Sequence, residues 1–234
     1  MADEEDREVP VPEDATMRVT DVYSYNGAVE KLRNEHPEEL QDVFEIIEEV
    51  SADDVFVKES GESQYSDIYL ASPVTMNYLI LVEGLYHGRG WAVDHGAARG
   101  KHHIEKIGRE PESISEPQCA LDIASGERWG KRTVDALRKR VAVEIQFGKY
   151  AFMMYDVLAK FGHFRRADRM DVGIELVPSN QLYQTMSSGP GYYIDDTHRN
   201  PVLVMGVGFE RPPVHLEDIE DNLEQYSMKK LSDY

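Results

Sequence analysis

A chain of 234 residues, 41% of them apolar, is long enough to bury the core of one domain. No apolar run approaches the roughly 20 residues that span a bilayer, and the acidic N-terminus is no secretory signal, so we expect a cytoplasmic protein with no membrane partner. A lone cysteine, Cys119, excludes an internal disulfide and a cysteine-built zinc cage.

Asp and Glu number 44 against 25 Lys and Arg, a net charge of −19. Acid excess with scarce lysine suits a halophile's cytoplasm, where salt screens self-repulsion; a merely acidic protein is the alternative. The basic residues are gathered together. Residues 128–169 hold eleven of them (Arg128, Lys131, Arg132, Arg138, Lys139, Arg140, Lys149, Lys160, Arg165, Arg166 and Arg169) against four acids, Asp135, Glu144, Asp156 and Asp168. That segment is net +7 and the remainder −26. A basic island in an acidic chain suits a polyanion binder, unless the chain's own carboxylates consume its cations.

Residues 1–16 are polar with two prolines and predict a disordered tail. Residues 17–24 predict a strand, after which Asn26 can cap a helix running to residue 34. Behind Pro37, a second helix carries Leu40, Val43, Phe44, Ile46, Ile47 and Val50 on one side. Residues 53–58 predict a short strand and 74–86 a buried helix. Residues 87–118, rich in Gly, His, Pro and charge, have the character of a loop-rich insertion or active-site loop. Order returns at 119–123. Residues 133–137 and 141–147 predict two strands joined through Arg138-Lys139-Arg140, followed by a helix over 150–161. Residues 172–177 and 202–207 predict apolar strands of a covered sheet, separated by a loop with a turn at Ser188-Gly189-Pro190-Gly191. A terminal helix over 216–225 precedes a frayed end. Strands alternating with helices in this way indicate an α/β core.

Chemistry concentrates in Val134-Asp135 and Val143-Glu144-Ile145-Gln146-Phe147. Glu144 and Gln146 lie two apart on a strand, so both side chains leave on one face, while Ile145 points the other way with its carbonyl still able to turn toward them. If a tight turn falls at Lys139-Arg140, Ala136 faces Val143 and Asp135 faces Glu144, with Cβ atoms roughly 4.5–5.5 Å apart. Neither turn residue favours positive φ, so a longer loop stays open. Two carboxylates this close repel unless a cation sits between them. Hard oxygen donors without thiol or imidazole suit Mg²⁺, which can hold a phosphodiester oxygen and activate water. The plain alternative is an exposed hairpin with two solvated acids. His87, His95, His102 and His103 follow no zinc-ligand spacing, and Trp91 and Trp129 read as packing residues.

The Asp135–eight residues–Glu144–x–Gln146 arrangement, followed by Phe147, Tyr150 and Phe152, resembles the BglII/BstYI-type restriction endonucleases. These are a branch of the PD-(D/E)xK nuclease superfamily in which Gln replaces the usual Lys. Thr20-Asp21 with Tyr25-Asn26-Gly27-Ala28, and Gly173-Ile174-Glu175-Leu176-Val177-Pro178, are similar patches. The resemblance implies a restriction-endonuclease-like α/β domain over 17–225, with a mixed central sheet flanked by helices, and a C-terminal tail over 226–234. It implies Asp135, Glu144 and the Ile145 carbonyl as Mg²⁺ ligands, and Gln146 as the residue that positions water or fills the lysine's place. It further implies a homodimer cutting double-stranded DNA at short palindromes containing GATC, with a cognate methyltransferase as a possible partner. Lys149, Arg165 and Arg166 are candidate phosphate contacts, with surface ion pairs as the alternative. Residues 87–118 match no part of the family, so base-reading residues are not mapped. A repair nuclease of the same superfamily, or a non-catalytic DNA-binding protein with this fold, remains the rival.

Overall fold

The computed structural model describes residues 9, 11–12, 14–61, 67–96, 100–125, 128–148, 155–186, 200–209 and 215–216. Strand β1 (Arg18–Tyr25) passes to helix α1 (Ala28–Glu35) through Asn26 and Gly27, both with positive φ (54° and 73°). Asn26 is not the cap foreseen from the sequence. Its amide donates to the Asn200 carbonyl (2.9 Å), and Ser24 Oγ accepts from the Val29 N–H (3.1 Å) instead. Helix α2 (Pro37–Glu49) begins with proline in its first turn and buries Leu40, Val43, Phe44, Ile46 and Ile47, as the periodicity predicts.

The strand predicted at 53–58 is largely a helical turn, α3 (Ala52–Val55). Ser51 caps it by accepting from the Asp53 N–H (3.3 Å), and acids at Asp53 and Asp54 favour a helix N-terminus over the β preference of the valines. Only β2 (Lys58–Glu59) is extended, paired with β3 (Tyr69–Leu70). Ser72 caps α4 (Pro73–Tyr78), which continues as a π-helical segment, Leu79–Gly88, through the predicted buried helix.

The stretch 87–118 holds more than loops. It contains β4 (Ala92–His95), α5 (Lys101–Lys106) and β5 (Ile114–Ser115). Trp91, which precedes β4, is buried and donates its indole N–H to Asp42 (2.9 Å). A separate hairpin follows, β6 (Ala120–Ser125) with β7 (Arg128–Thr133), and then β8 (Ala136–Arg138) and β9 (Val141–Ile145). Helix α6 starts with a π-helical segment, Asp156–Lys160, and continues as Phe161–Arg166. Strand β10 (Val172–Pro178), the short α7 (Asn180–Gln184) and β11 (Val202–Gly208) complete the core. Part of the expected N-terminal tail is seated: Thr16 bridges to Ser51, and Val11 is buried. The start of the helix predicted at 150–161, the turn at 188–191, most of 216–225 and the tail 226–234 lie outside the described residues.

The central sheet has seven strands in the order β1-β11-β10-β9-β8-β4-β5. β9, β10 and β11 run parallel to one another, and the remaining pairings are antiparallel, so the sheet is mixed as expected. The three parallel strands are buried along their whole length, which is why they read as apolar runs. Val141, Val143, Ile145, Ile174 and Leu203 share one core with α1, α2 and α4. Ala142, Val177, Val202 and Val204 share the other with Val157, Phe161 and Phe164 of α6. Glu144 and Glu175 alternate onto this second face, beneath α6.

Gly173 fixes how closely α6 lies on the sheet. A Cβ built there would stand 2.5 Å from the ring of Phe161, a fully buried side chain with no room to swing. Gly173→Ala is therefore expected to destabilise the protein by about 1–3 kcal/mol, the usual cost of overpacking, read as a lowered midpoint in urea unfolding.

Candidate active site

The hairpin β8–β9 turns in two residues, Lys139 (φ 41°) and Arg140 (φ 72°). Positive φ at both positions is normally the province of Asn and Gly. Here ion pairs offset the strain. Lys139 reaches Glu38, and Arg140 forks onto Asp171 (Nε–Oδ2 2.7 Å, Nη2–Oδ1 2.8 Å) with Asp168 beside it (2.8 Å). The tight turn sets the pairing Ala136↔Val143, Leu137↔Ala142 and Arg138↔Val141.

Asp135, one residue before β8, thereby comes to lie against Glu144 and Ile145. Its Oδ2 accepts from the Ile145 backbone N–H (2.8 Å), which brings its charge beside Glu144. Burial pushes Asp135 up to about 6, partly opposed by the Ile145 N–H and by the charge of Lys160. Glu144 is 1% exposed and is raised well above the carboxylate range, first by burial and then by the charge of Asp135, with Lys160 opposing.

Three groups that sequence reasoning gave no role complete the cluster. Lys160, from α6, places its Nζ 2.7 Å from Glu144 Oε1 and 2.7 Å from Asp156 Oδ1. Burial works against its charge, but the two carboxylates outweigh that and hold the ammonium above its ordinary pKa. Asp156, raised by burial against the pull of Lys160, accepts from Gln146 Nε2 (2.6 Å). Glu175 pairs with Glu144 across the parallel strands, is fully buried, and has no hydrogen-bond partner on either oxygen among the described residues. Burial and the charge of Asp156 raise it well above the usual range. Signals for these residues existed in the sequence. Asp156 and Lys160 are spaced i,i+4 on the helix after the motif strand, and Glu175 interrupts an otherwise apolar run.

The structure brings Asp135 against Glu144 and the Ile145 backbone, while Gln146 is turned toward Asp156. The phosphate-contact candidates are less gathered. Lys149 lies outside the described residues. Arg165 and Arg166 are exposed at the end of α6, and Arg166 meets His163 Nδ1 (2.9 Å). Arg138, Lys139 and Arg140, from the middle of the basic island, are committed to carboxylates of α2 and the β10 approach.

Whether the site suits a divalent cation can be judged from its donors. Among the described residues, one ammonium contacts Glu144 and Asp156 with Asp135 and Glu175 nearby, and Glu144 Oε1 is too poorly aligned with Lys160 for a hydrogen bond. Both Glu175 oxygens lack hydrogen-bond partners among the described residues. Hard oxygen donors in charge deficit fit Mg²⁺. Elsewhere, Glu35, His36 and Asp171 bring ligand atoms within 4.8 Å of one another. Their carboxylates are already compensated by Lys31 and Arg140, so that group lacks the same deficit.

A mixed sheet carrying paired acids at the end of a parallel strand, under a helix, is the architecture of restriction-endonuclease-like nucleases. The family model for restriction endonuclease BglII/BglIII matches residues 20–205, and the chain belongs to that family. Among solved structures, restriction endonuclease BglII complexed with a DNA 16-mer superposes with a TM-score of 0.52 at 16% identity, over 80% of this chain and 74% of that one. No curated protein matches by sequence. Among the described residues, no helix is long and apolar enough to cross a membrane.

The strained acid cluster has a consequence for stability. A carboxyl whose pKa is raised on folding binds its proton more tightly in the native chain, so it opposes folding as pH rises above its unfolded value. These buried carboxyls should accordingly cost the metal-free protein stability from about pH 4 upward. Glu175→Gln should raise the melting temperature of the metal-free protein at pH 8, where 1 kcal/mol corresponds to about 2–4 °C, and the gain should vanish below about pH 4. Thermal scans of both proteins across pH would check this.

Proposed function

We propose that this chain is a type II restriction endonuclease, hydrolysing DNA phosphodiester bonds with Mg²⁺ at a short palindrome of the GATC-containing kind. The carrying observation is the meeting of the Asp135 and Glu144 carboxyls beside Ile145, in a cluster short of positive charge. Asp135, Glu144 and the Ile145 carbonyl are the ligands that would hold the metal. When bound, Mg²⁺ lowers the pKa of a water and neutralises charge on the phosphoryl oxygens. Water attacks phosphorus in line, the bond to the 3′ oxygen breaks, and that oxygen leaves as a hydroxyl opposite a 5′-phosphate. Asp135 and Glu144 supply negative charge that cannot be dispersed without a cation, so the site is organised before substrate arrives.

A palindromic target matches a two-fold symmetric enzyme, and we place a homodimer at each site with a cognate methyltransferase protecting host DNA. The acidic remainder of the chain, net −26 outside residues 128–169, is the surface of a halophile. Because contacts to phosphate weaken steeply with salt, recognition in such a cytoplasm would lean on base and shape contacts.

Plasmid digested with Mg²⁺ over KCl from low to molar concentration should give discrete bands. A smear or nicking would favour a repair nuclease, and intact DNA at every salt a binding protein. Asp135→Ala and Glu144→Ala should each lower cleavage by at least about 10³-fold, more than the loss typical of one hydrogen-bond donor at a charged transition state. A Glu144→Ala enzyme that still cuts at the wild-type rate would rule out this site.

A further inference from the structure

Lys160 is placed as no surface lysine would be. It hangs from the π-helical opening of α6 over the sheet face that carries Glu144, with its ammonium 2.7 Å from both Glu144 and Asp156. Its side chain is 14% exposed, so it is neither sealed in the core nor loose in solvent. Three constraints hold it there. Gly173 lets the Phe161 ring, one residue beyond Lys160, settle against β10. Asp156 lies one helical turn earlier on the same face and contacts the ammonium at 2.7 Å. Gln146, two residues along β9 from Glu144, donates to Asp156 (2.6 Å) and fixes that carboxylate in turn.

The geometry points to Lys160 as a catalytic residue of this site, its ammonium meeting the non-bridging oxygens of the scissile phosphate, with Asp156 and Gln146 as the residues that position it. This rests on the reading of Asp135 and Glu144 as the metal-binding pair of a DNA nuclease. Gln146 supplies no charge, and its amide N–H is spent on Asp156. A divalent ion on Glu144 would draw off the negative charge that Lys160 now shares, and would itself repel the ammonium. The phosphodiester is the anion that restores the balance, brought to the same place by the same metal. Negative charge grows on its equatorial oxygens during attack, so an ammonium aimed there binds the transition state more strongly than the substrate.

The test uses the full chain. Lys160→Met and Lys160→Gln are compared with wild type in single-turnover cleavage of supercoiled plasmid with Mg²⁺, in DNA binding with Ca²⁺, and in calorimetric titration of DNA-free protein with Mn²⁺. Lys160→Gln keeps a polar, hydrogen-bonding group beside the carboxylates and so guards against a variant that fails to fold. The expected result is cleavage slowed about 10²–10³-fold. Plasmid affinity should stay near wild type and Mn²⁺ affinity should be equal or higher, since a competing cation is gone. Gln146→Ala should slow cleavage in the wild-type background but add almost nothing to Lys160→Gln, because both substitutions break one chain. Either folded neutral variant cutting within threefold of wild type would overturn the inference, as would independent, multiplying effects of Gln146→Ala and Lys160→Gln. Glu144→Ala separates the two levels. If it is inactive while the Lys160 variants cut normally, the nuclease site stands and only the role of Lys160 falls. If it cuts normally, the underlying reading fails.

Discussion

The structure depends on tolerating acids where a parallel sheet normally holds only aliphatic side chains. Glu144 and Glu175 sit opposite each other on adjacent buried strands, and Asp135 is drawn in from β8 by the Ile145 N–H. Burial of a carboxylate without a partner is costly enough that such groups usually neutralise instead. The raised pKa values of Asp135, Glu144, Asp156 and Glu175, each pushed up first by burial, express that tension. One ammonium, Lys160, offsets part of it. Nearly every other feature near the site serves to keep these groups from moving apart: the unusual turn, the glycine under Phe161, and the backbone N–H that holds Asp135.

The turn shows how local chemistry and global need can disagree. Lys139-Arg140 is a poor pair for a two-residue hairpin loop, and sequence reasoning left a longer loop open for that reason. The strain of two positive-φ residues, of order 1–2 kcal/mol each, is accepted because their charged ends reach Glu38, Asp168 and Asp171 on neighbouring elements. Those contacts lie at the opposite end of β9 from Glu144. The site's register is therefore held by electrostatics at the far end of the strand, a dependence no inspection of the motif alone would suggest.

Legibility in the sequence followed how local each signal was. The motif spacing gave Asp135, Glu144 and Gln146 their positions, and period-two and apolar runs located β1, β9, β10 and β11. Helical periodicity located α2 and α4. Val55-Phe56-Val57 misled because a serine cap and two acids, all local but weaker to the eye than three large apolar residues, start a helical turn there. The elements within 87–118 escaped because β4 and β5 are very short, and β4 joins the sheet only by pairing with β8 outside that stretch. Lys160 and Glu175 were visible as residues but not as a site, since only the packing of α6 onto β9 and β10 brings them to Glu144.

The same packing bears on the charge distribution. From composition, the basic island looked like a surface for a polyanion, yet Arg138, Lys139, Arg140 and Lys160 are spent on the protein's own carboxylates. Subtracting them removes the strongest part of the apparent patch. A chain so acidic must use cations internally simply to bring its acids together, and high salt would weaken the exposed pairs more than the buried one at Lys160. On the reading proposed above, attraction for DNA comes less from a broad positive face than from the site itself, where a metal ion and one well-held ammonium would meet the phosphate at short range. An enzyme built this way gives up long-range steering and keeps its charge where chemistry happens, a division that salt-rich surroundings would favour.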